Sequence, residues 1–298
     1  MKFYKYQGTG NDFIMMDNRD NSFSEEQKKD KKFISTLCHR RFGIGADGLI
    51  LIENSTSVDF TMVYFNADGN LGSMCGNGGR CAVAFAYRLG VFEGKKTSFM
   101  AFDGLHFAKI AQQNQKITEV ELQMSDISEI EKIHNLIQNK DKKDYFLDTG
   151  SPHYVRFLDN LDNKKSHNNL ENYQVVEEGK KIRYNQRFEK KGTNVNFVTK
   201  NANNSEKNSI FVRTYERGVE DETLSCGTGV TACALAHFLN EGMEKQILKT
   251  NLIHIKTLGG NLKIRFDYTS PKKQDNFQHY FTKIFLIGAA TAVFEGNL

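Results

Sequence analysis

The chain has 298 residues, of which 39% are hydrophobic and 26% are charged, proportions that are typical of globular proteins. Its formal net charge is only +4 at pH 7, and its lysines are spread through predicted loops, so we expect no nucleic-acid partner. Neither a signal segment nor a long apolar span is found in the sequence. We therefore expect no membrane partner and a cytoplasmic location.

The five cysteines are an odd number, which argues against a disulfide framework and for a reducing compartment. The pairs Cys75/Cys81 and Cys226/Cys233 are spaced too widely for the usual zinc knuckle, so we expect no metal site. Cys38, Cys81 and Cys233 fall on apolar helical patterns and are expected to be core thiols. Cys75 and Cys226 lie in a different setting, in glycine-rich turns.

The first half begins with short predicted strands at 2–6 and 13–17, separated by a glycine-containing turn. Ser24 and Gln27 form a capping-box pattern, so a helix is expected to begin at Ser24. Its expected apolar face consists of Phe33, Ile34, Leu37 and Cys38. A second glycine-rich turn, at 42–48, leads into a predicted strand.

Cys75 stands where a glycine-rich turn is expected to become a helix. An apolar strand, 60–65, precedes the sequence Ser-Met-Cys-Gly-Asn-Gly-Gly-Arg-Cys at 73–81, and the apolar run 82–89 predicts a buried helix. Unpaired N–H groups and the macrodipole at a helix N-terminus favour an anion, and the thiolate is the reactive form of cysteine. Glycines let the backbone approach a ligand closely. The turn therefore combines an activated sulfur with an anion-binding backbone.

A polar stretch at 125–144 predicts the boundary between an N-terminal half, 1–125, and a C-terminal half, 126–298. The last predicted strand has no obvious place in the second half. We expect residues 284–298 to cross back and complete the first half.

The second half repeats the first, in order. Cys226 lies in a matching glycine-rich turn, followed by the apolar run 234–239. The paired segments are 9–15 with 149–155, 45–51 with 192–198, the two cysteine turns, and the predicted hairpins 98–110 with 253–266. Four matches in the same order indicate an internal duplication.

Two similar halves that each carry a cysteine at a helix N-terminus predict one cleft with a sulfur on each side. The chemistry that needs this arrangement is inversion at a carbon acid, in which one thiolate removes a proton and the opposite thiol returns one. The turns would hold a carboxylate as it gains enolate character. No feature of the sequence demands pyridoxal phosphate or a metal, so we expect no cofactor.

The sequence resembles the diaminopimelate epimerase family over essentially its whole length. The motifs that carry the resemblance lie at 8–13, 66–69, 75–81, 215–218 and 226–229. The resemblance implies an α/β (α+β) fold of two pseudo-symmetric domains, each a curled, mostly antiparallel sheet around a central helix, with the active site between them. It also implies an isomerase that interconverts LL- and meso-diaminopimelate for lysine and peptidoglycan precursor synthesis. We further expect a homodimer.

The resemblance also assigns roles to residues. It makes Cys75 and Cys226 the acid–base pair, and it places His153 and Glu216 near the thiols, where they tune them. The residues that it implies for substrate binding are Asn11, Asn66, Asn194, Glu216 and Arg217, with Gly76, Asn77, Gly227 and Thr228 holding the carboxylate by backbone N–H groups.

Two positions depart from the family pattern. Many members carry glutamine where Gly48 stands, and many carry asparagine where Ser151 stands. These departures concern the distal part of the substrate site rather than the reaction.

Two other functions remain open from the sequence. A proline or hydroxyproline racemase uses the same two thiols, but that family typically has histidine where Asn77 stands. A non-catalytic anion- or nucleotide-binding module would use the glycine-rich turns, but it leaves the cysteine pair unexplained and lacks the lysine of a P-loop. Taken singly, Asn11 and Asn66 are also ordinary turn formers, His153 an ordinary half-buried histidine, and Glu216 and Arg217 an ordinary surface pair.

Overall fold

The computed structural model describes residues 1–134, 136, 143–158, 170–200, 208–245, 250–270 and 280–298. The chain forms two compact units. Unit 1 comprises Met1–Gln123 and Ile287–Leu298, and unit 2 comprises Met124–Leu286. Both units have an α/β fold in which strands of one sheet surround a buried helix.

Unit 1 contains seven strands from its N-terminal segment and three helices. The strands are β1 (Lys2–Gly8), β2 (Asn11–Asp17), β3 (Gly48–Glu53), β4 (Phe60–Asn66), β5 (Lys96–Ala101), β6 (Gly104–Gln113) and β7 (Ile117–Gln123), and the helices are α1 (Glu25–Lys29), α2 (Lys31–Cys38) and α3 (Gly76–Arg88). The pairs β2–β3 and β4–β5 are parallel, whereas β1–β2, β3–β4, β5–β6 and β6–β7 are antiparallel.

The prediction of a single helix after Ser24 is wrong, because the chain forms two helices that meet at Asp30. The predicted capping box between Ser24 and Gln27 is confirmed at the start of α1. Asp30 has non-helical dihedral angles, and its carboxylate accepts the N–H of Phe33 at 2.9 Å, so it ends α1 and caps α2. Aspartate favours such caps because its side chain competes for backbone donors.

Helix α3 is the centre of unit 1, and it is buried from Gly76 to Ala86. It packs against β1, β2, β3, β4 and β7. Alanines at 82, 84 and 86 keep the helix narrow, so strands can approach it closely from several sides. The chain leaves the helix through Gly90, which adopts a positive φ of 67°.

Unit 2 repeats this plan. Its strands are β8 (Ile130–His134), β9 (Lys143–Asp148), β10 (Pro152–Phe157), β11 (Asn194–Lys200), β12 (Ser209–Glu216), β13 (Asp221–Thr223), β14 (Thr250–Thr257) and β15 (Gly260–Thr269), and its helices are α4 (Val175–Arg183) and α5 (Gly227–Asn240). The pairs β10–β11 and β12–β14 are parallel, and β9–β10, β11–β12 and β14–β15 are antiparallel. Parallel and antiparallel strand pairs therefore occur in both units, and the central helix of unit 2 is α5, as that of unit 1 is α3.

The polar stretch at 125–144 contains strand β8, which buries Ile130 and Ile133. Residues 135 and 137–142 of that stretch lie outside the described residues. The last strand, β16 (Tyr280–Asn297), contributes residues up to Leu286 to unit 2 and residues from Ile287 to unit 1. Within unit 1 it pairs antiparallel with β7 and β1. None of the helices in the described ranges combines the length and apolar character that a membrane span requires.

Candidate active site

Cys75 is the N-cap of α3, as the sequence predicted. It has extended backbone angles, with φ −104° and ψ 147°, and its Sγ accepts the N–H of Gly78 at 3.2 Å. Its carbonyl accepts the N–H of Gly79 at 2.8 Å, which starts the helix. The sulfur is half-buried and lies at the N-terminus of the helix, where a negative charge is stabilised.

Asn11 approaches this sulfur from the start of β2. Its Oδ1 lies 3.9 Å from Sγ of Cys75 and 3.5 Å from Nδ2 of Asn77. Its Nδ2 donates to a carboxylate oxygen of Asp47 at 2.6 Å, and that bond fixes the orientation of the amide. Asp47 was not predicted as a site residue. Its role depends on the parallel pairing of β2 with β3, which a local pattern does not reveal.

An ion cluster supports Asp47 behind Asn11. Arg40 donates to Asp12 at 2.7 Å and to Asp47 at 2.7 Å, and Lys5 pairs with Asp12 at 2.8 Å. Burial opposes the charge on Asp12, but hydrogen bonds from Arg40 and Lys5 outweigh it and hold the pKa of Asp12 well below its usual value. Asp12 therefore stays ionised, and Arg40, which bridges the two carboxylates, keeps Asp47 in place.

Gly48 is required by the structure. It pairs with Asn66 where β3 and β4 meet, and a Cβ at position 48 would lie 2.5 Å from the carbonyl oxygen of Phe65 and 2.5 Å from Cε2 of Tyr64. A Cβ at Gly72 would lie 2.6 Å from Cε1 of the same ring. The ring of Tyr64 thus fills the space between two glycines, so the glutamine common in the family has no room here.

Cys226 is the N-cap of α5, in the position that Cys75 has in α3. Its backbone is extended, with φ −118° and ψ 115°, and its carbonyl accepts the N–H of Val230 at 2.9 Å. Its Sγ lies 3.4 Å from Oγ1 of Thr228. The carbonyl of Thr228 in turn accepts the hydroxyl of Thr149 at 2.8 Å, which holds the first turn of the helix against the end of β9.

A hydrogen-bond chain leads from the core of unit 2 to Thr228. Nδ2 of Asn196 donates to the carbonyl of Tyr154 at 3.0 Å and faces Nδ1 of His153 at 3.2 Å, while Oδ1 of Asn196 accepts the hydroxyl of Thr214 at 2.9 Å. Nδ1 of His153 is therefore an acceptor, and Nε2 carries the ring proton. Nε2 lies 2.9 Å from Oγ1 of Thr228, to which it donates. The hydroxyl proton of Thr228 is left for Cys226.

His153 is uncharged at neutral pH. Its side chain is fully buried in unit 2, and burial, with a smaller contribution from the positive charge of Arg217, lowers its pKa to about 3. A neutral ring keeps one acceptor and one donor nitrogen, which is what the hydrogen-bond chain needs.

Asn194, Ser151 and Arg217 meet in unit 2. The Oδ1 of Asn194 accepts the backbone N–H of Arg217 at 2.9 Å, and its Nδ2 donates to Oγ of Ser151 at 2.9 Å. The guanidinium of Arg217 donates to the carbonyl of Lys191 at 2.6 Å. Ser151, the second departure from the family pattern, therefore supports Asn194 directly.

Glu216 is half-buried, and burial raises the pKa of its carboxyl group. Its Oε2 accepts the hydroxyl of Thr223 at 2.8 Å, and that bond opposes the rise. Gly76 and Asn77 form the first turn of α3, and Gly227 and Thr228 form that of α5, where N–H groups lack partners within the helix. These four positions are the expected carboxylate-binding donors.

The other thiols belong to the core. Cys38, Cys81 and Cys233 are buried, and burial raises the pKa of Cys38 to about 11 and that of Cys81 to about 12. The described ranges contain no group of three or more histidine, cysteine, aspartate or glutamate side chains that could hold a metal ion.

The residues that support the site from behind were not predicted from the sequence, among them Asp47, Tyr64, Arg80 and Asn196. One of them had a readable signal. Asn194 and Asn196 are two positions apart on β11, so their side chains lie on the same face of the sheet.

Comparison with known proteins identifies the relatives of this chain. The family model for diaminopimelate epimerase matches residues 3–128 and 145–275. The diaminopimelate epimerase of Flavobacterium psychrophilum is 48% identical over 300 residues, which cover 100% of both chains. That of Aquifex aeolicus is 37% identical over 304 residues, which cover 100% of this chain and 98% of the relative.

Solved structures with the same fold are more distant in sequence. A PhzF-family phenazine biosynthesis protein of Bacillus anthracis has a TM-score of 0.66 at 14% identity and covers 100% of this chain and 98% of its own. A hydroxyproline epimerase of Agrobacterium vitis has a TM-score of 0.64 at 12% identity, with 99% and 91% of the two chains covered. At these identities the likeness shows the fold alone.

The fold, with its two helix-capping cysteines, and the sequence relatives define the class of this protein. It is an isomerase of the type that acts on amino acids. Within that class, the chain belongs to the diaminopimelate epimerase family, because the family model and full-length relatives both match it.

Proposed function

We propose that this protein interconverts LL- and meso-diaminopimelate without a cofactor, with Cys75 and Cys226 as the acid–base pair. The observation that carries the proposal is the matching position of the two cysteines. Each is the N-cap of the central helix of its unit, in a chain whose relatives are diaminopimelate epimerases. Each sulfur also has a neighbouring donor that can stabilise it as a thiolate, the backbone N–H of Gly78 at Cys75 and the hydroxyl of Thr228 at Cys226.

In the proposed reaction one cysteine, as thiolate, removes the α-proton of the substrate, and the electron pair of the C–H bond passes into the α-carboxylate. The other cysteine, as thiol, donates its proton to the opposite face of the same carbon. When the product leaves, the cysteine that removed the proton is a thiol and the cysteine that donated one is a thiolate. The reverse reaction therefore begins from the opposite protonation state. First-turn N–H groups at Gly76, Asn77, Gly227 and Thr228 would hold the carboxylate as negative charge develops on it.

Substrate selection is assigned to the polar side chains around the two helix termini. Asn11, Asn66, Asn194, Glu216 and Arg217 supply amide, carboxylate and guanidinium groups that suit a linear substrate with an ammonium and a carboxylate at its far end. We also propose a cytoplasmic homodimer as the working form. Sedimentation of the purified protein tests the assembly, and a monomer throughout the working concentration range would contradict it.

Solvent deuterium tests the two-thiol reaction. In deuterated water each resting thiol exchanges its proton, so the product formed early from LL-diaminopimelate should carry deuterium at the inverted carbon. Recovered substrate should carry almost none, because the sulfur that removes its proton is not the one that delivers the new proton. Equal early labelling of substrate and product would contradict two bases.

Single-cysteine variants complete the test. Cys75→Ala and Cys226→Ala should each abolish epimerisation in both directions, because either direction needs an acid and a base. Cys38→Ala, at a buried thiol that ends α2 and does not cap α3 or α5, is the matched control and should keep epimerase activity. L-Proline and trans-4-hydroxy-L-proline serve as alternative substrates. Faster turnover of either than of diaminopimelate would favour the racemase alternative.

A further inference from the structure

Arg80 is a buried cation that has no role in the proposed reaction as described above. It lies on α3, its side chain has no exposed surface, and it belongs to the largest fully buried side chains. Arginine remains protonated in proteins, so the helix carries a positive charge inside unit 1. Burying an ion is costly unless a charge of opposite sign compensates for it.

Within the described part of the chain, Arg80 donates its hydrogen bonds to neutral groups only. Its Nη1 donates to the carbonyl of Gly76 at 3.1 Å, and its Nη2 donates to Oγ1 of Thr9 and Oδ1 of Asn77, both at 3.1 Å. Its Nε is buried and has no hydrogen-bond partner in the described part of the chain. Strand β1 closes over the group, since a Cβ at Gly8 would lie 3.2 Å from Nη2.

No carboxylate among the described residues lies within ion-pair distance of Arg80. Cys81 is its neighbour in the chain, but burial raises the pKa of that thiol to about 12, so Cys81 stays neutral. Asp103 accepts the N–H of Met74 at 3.3 Å and pairs with His106, and Asp47 is held by Arg40. Burial lowers the pKa of Arg80, and negative charge on Cys81 or, to a smaller extent, on Cys75 opposes that effect. Because Cys81 stays neutral, Cys75 is the one of these two thiols that can supply the charge.

We propose that the guanidinium of Arg80 is the counter-charge of the Cys75 thiolate, and that Arg80 is a positioning residue for the first base. Two of its hydrogen bonds go to residues of the first turn, the carbonyl of Gly76 and the amide of Asn77. Arg80 therefore holds the helix terminus that Cys75 caps, while its charge favours the deprotonated sulfur. In unit 2 the matching sulfur has a different support, the neutral hydrogen-bond chain through His153 and Thr228. The two thiols thus have unlike surroundings, a buried cation on the helix that Cys75 caps and a neutral hydroxyl beside Cys226, and we expect Cys75 to react at the lower pH.

This inference rests on the proposed function only where it treats Cys75 as a catalytic base. The experiment that tests it needs no substrate. The rate of alkylation by iodoacetamide is followed against pH at Cys75 and Cys226 separately, by peptide mass mapping. The unaltered protein is compared with Arg80→Gln, which removes the charge and keeps a donor, and with Arg80→Lys, which keeps the charge. Circular dichroism and thermal unfolding verify the fold of each.

In Arg80→Gln we expect the alkylation profile of Cys75 to move up by about one pH unit or more, which is about a tenfold slower reaction at neutral pH. Arg80→Lys should recover most of that loss, and the profile of Cys226 should not change in any of the proteins. An unshifted Cys75 profile in folded Arg80→Gln overturns the proposal.

If Arg80→Gln does not fold, the alkylation profiles of the unaltered protein provide the test. The proposal then requires Cys75 to react at lower pH than Cys226, and the reverse order overturns it. The alkylation profiles do not depend on epimerase activity. Failure of the proposed function would therefore be seen in the activity assays, separately from failure of this inference.

Discussion

His153 and Thr228 are joined by a hydrogen bond of 2.9 Å between Nε2 and Oγ1, and its direction is fixed from the core. Because Nδ1 of His153 faces an N–H of Asn196, the ring proton lies on Nε2 and is donated to Thr228. The hydroxyl of Thr228 is then a donor for Sγ of Cys226, 3.4 Å away. His153 acts on the sulfur through this hydroxyl, and it does so as a neutral ring.

The first prediction concerns that hydroxyl. Thr228→Val keeps the shape of the side chain and the backbone N–H but removes the donor to Cys226. We expect kcat for epimerisation to fall about 10- to 100-fold, the equivalent of a lost hydrogen bond to a charged group. Thr228→Ser is the matched control and should stay within a few-fold of the unaltered protein. Equal kcat values for the valine and serine variants would contradict a role for the hydroxyl.

The second prediction compares equivalent glycines. Gly78 and Gly229 are both the third residue of their helix. A Cβ at Gly229 would lie 2.6 Å from Oδ1 of Asn196, which is fully buried and held by hydrogen bonds, whereas the nearest atom to a Cβ at Gly78 is Sγ of Cys75 at 3.2 Å. We expect Gly229→Ala to lower the free energy of unfolding by about 1–3 kcal/mol.

Gly78→Ala should cost less stability, because alanine also gains helix propensity of about 1 kcal/mol over glycine. It should still lower kcat, since the new methyl group displaces the sulfur of Cys75. Urea unfolding and steady-state kinetics on both variants provide the comparison. Equal losses of stability at the two positions would show that the Asn196 contact is not rigid.

The third prediction concerns the slot beside Gly48. Gly48→Gln brings the side chain common in the family into space filled by the ring of Tyr64 and the carbonyl of Phe65. We expect it to destabilise the protein by at least about 2 kcal/mol. Adding Tyr64→Ala should restore part of the loss, so the double variant is less destabilised than the sum of the single variants. Additive losses in urea unfolding would show that Tyr64 does not occupy the slot.

The fourth prediction is a pH dependence that originates at His237. This residue lies on α5, is 2% exposed, and neither ring nitrogen has a hydrogen-bond partner within the described ranges. Burial lowers its pKa to about 4, opposed by Glu241 and assisted by Lys200. The folded pKa is therefore below the unfolded value of about 6.5. Between these values the unfolded chain binds more protons, so the free energy of unfolding falls as the pH drops from about 6.5 to about 4.

We expect this group to contribute a loss on the order of 3 kcal/mol by the lower end of that range. His237→Phe keeps a ring against Phe157, whose centroid lies 6.3 Å from that of His237, and should remove this share of the pH dependence. His39→Gln, at an exposed histidine, is the control and should leave the curve unchanged. Urea unfolding at several pH values measures all three proteins. A curve for His237→Phe parallel to that of the unaltered protein would contradict the assignment.

Much of the site could be predicted because its signals are local. A cysteine followed by glycines and then by an apolar run predicts a helix N-cap, and both Cys75 and Cys226 are N-caps. The duplication was readable because the same turns and strands return in the same order. The helix after Ser24 shows where local reasoning fails. The capping box at Ser24 and the apolar face that begins at Phe33 predict one helix, but the side chain of Asp30 caps a new helix between them.

The sequence alone determined the two cysteine turns, the duplicated order of strands and helices, and the family, because each depends on neighbouring residues and their spacing. Only the tertiary structure decided which groups support each sulfur. Asp47 reaches Asn11 through the pairing of β2 with β3, and Asn196 reaches His153 through that of β10 with β11. Arg80 becomes a buried charge only when β1 closes over α3. Hydrogen bonds and burial join residues that are distant in the chain, and the direction of a donor depends on a three-dimensional neighbour that no local pattern contains.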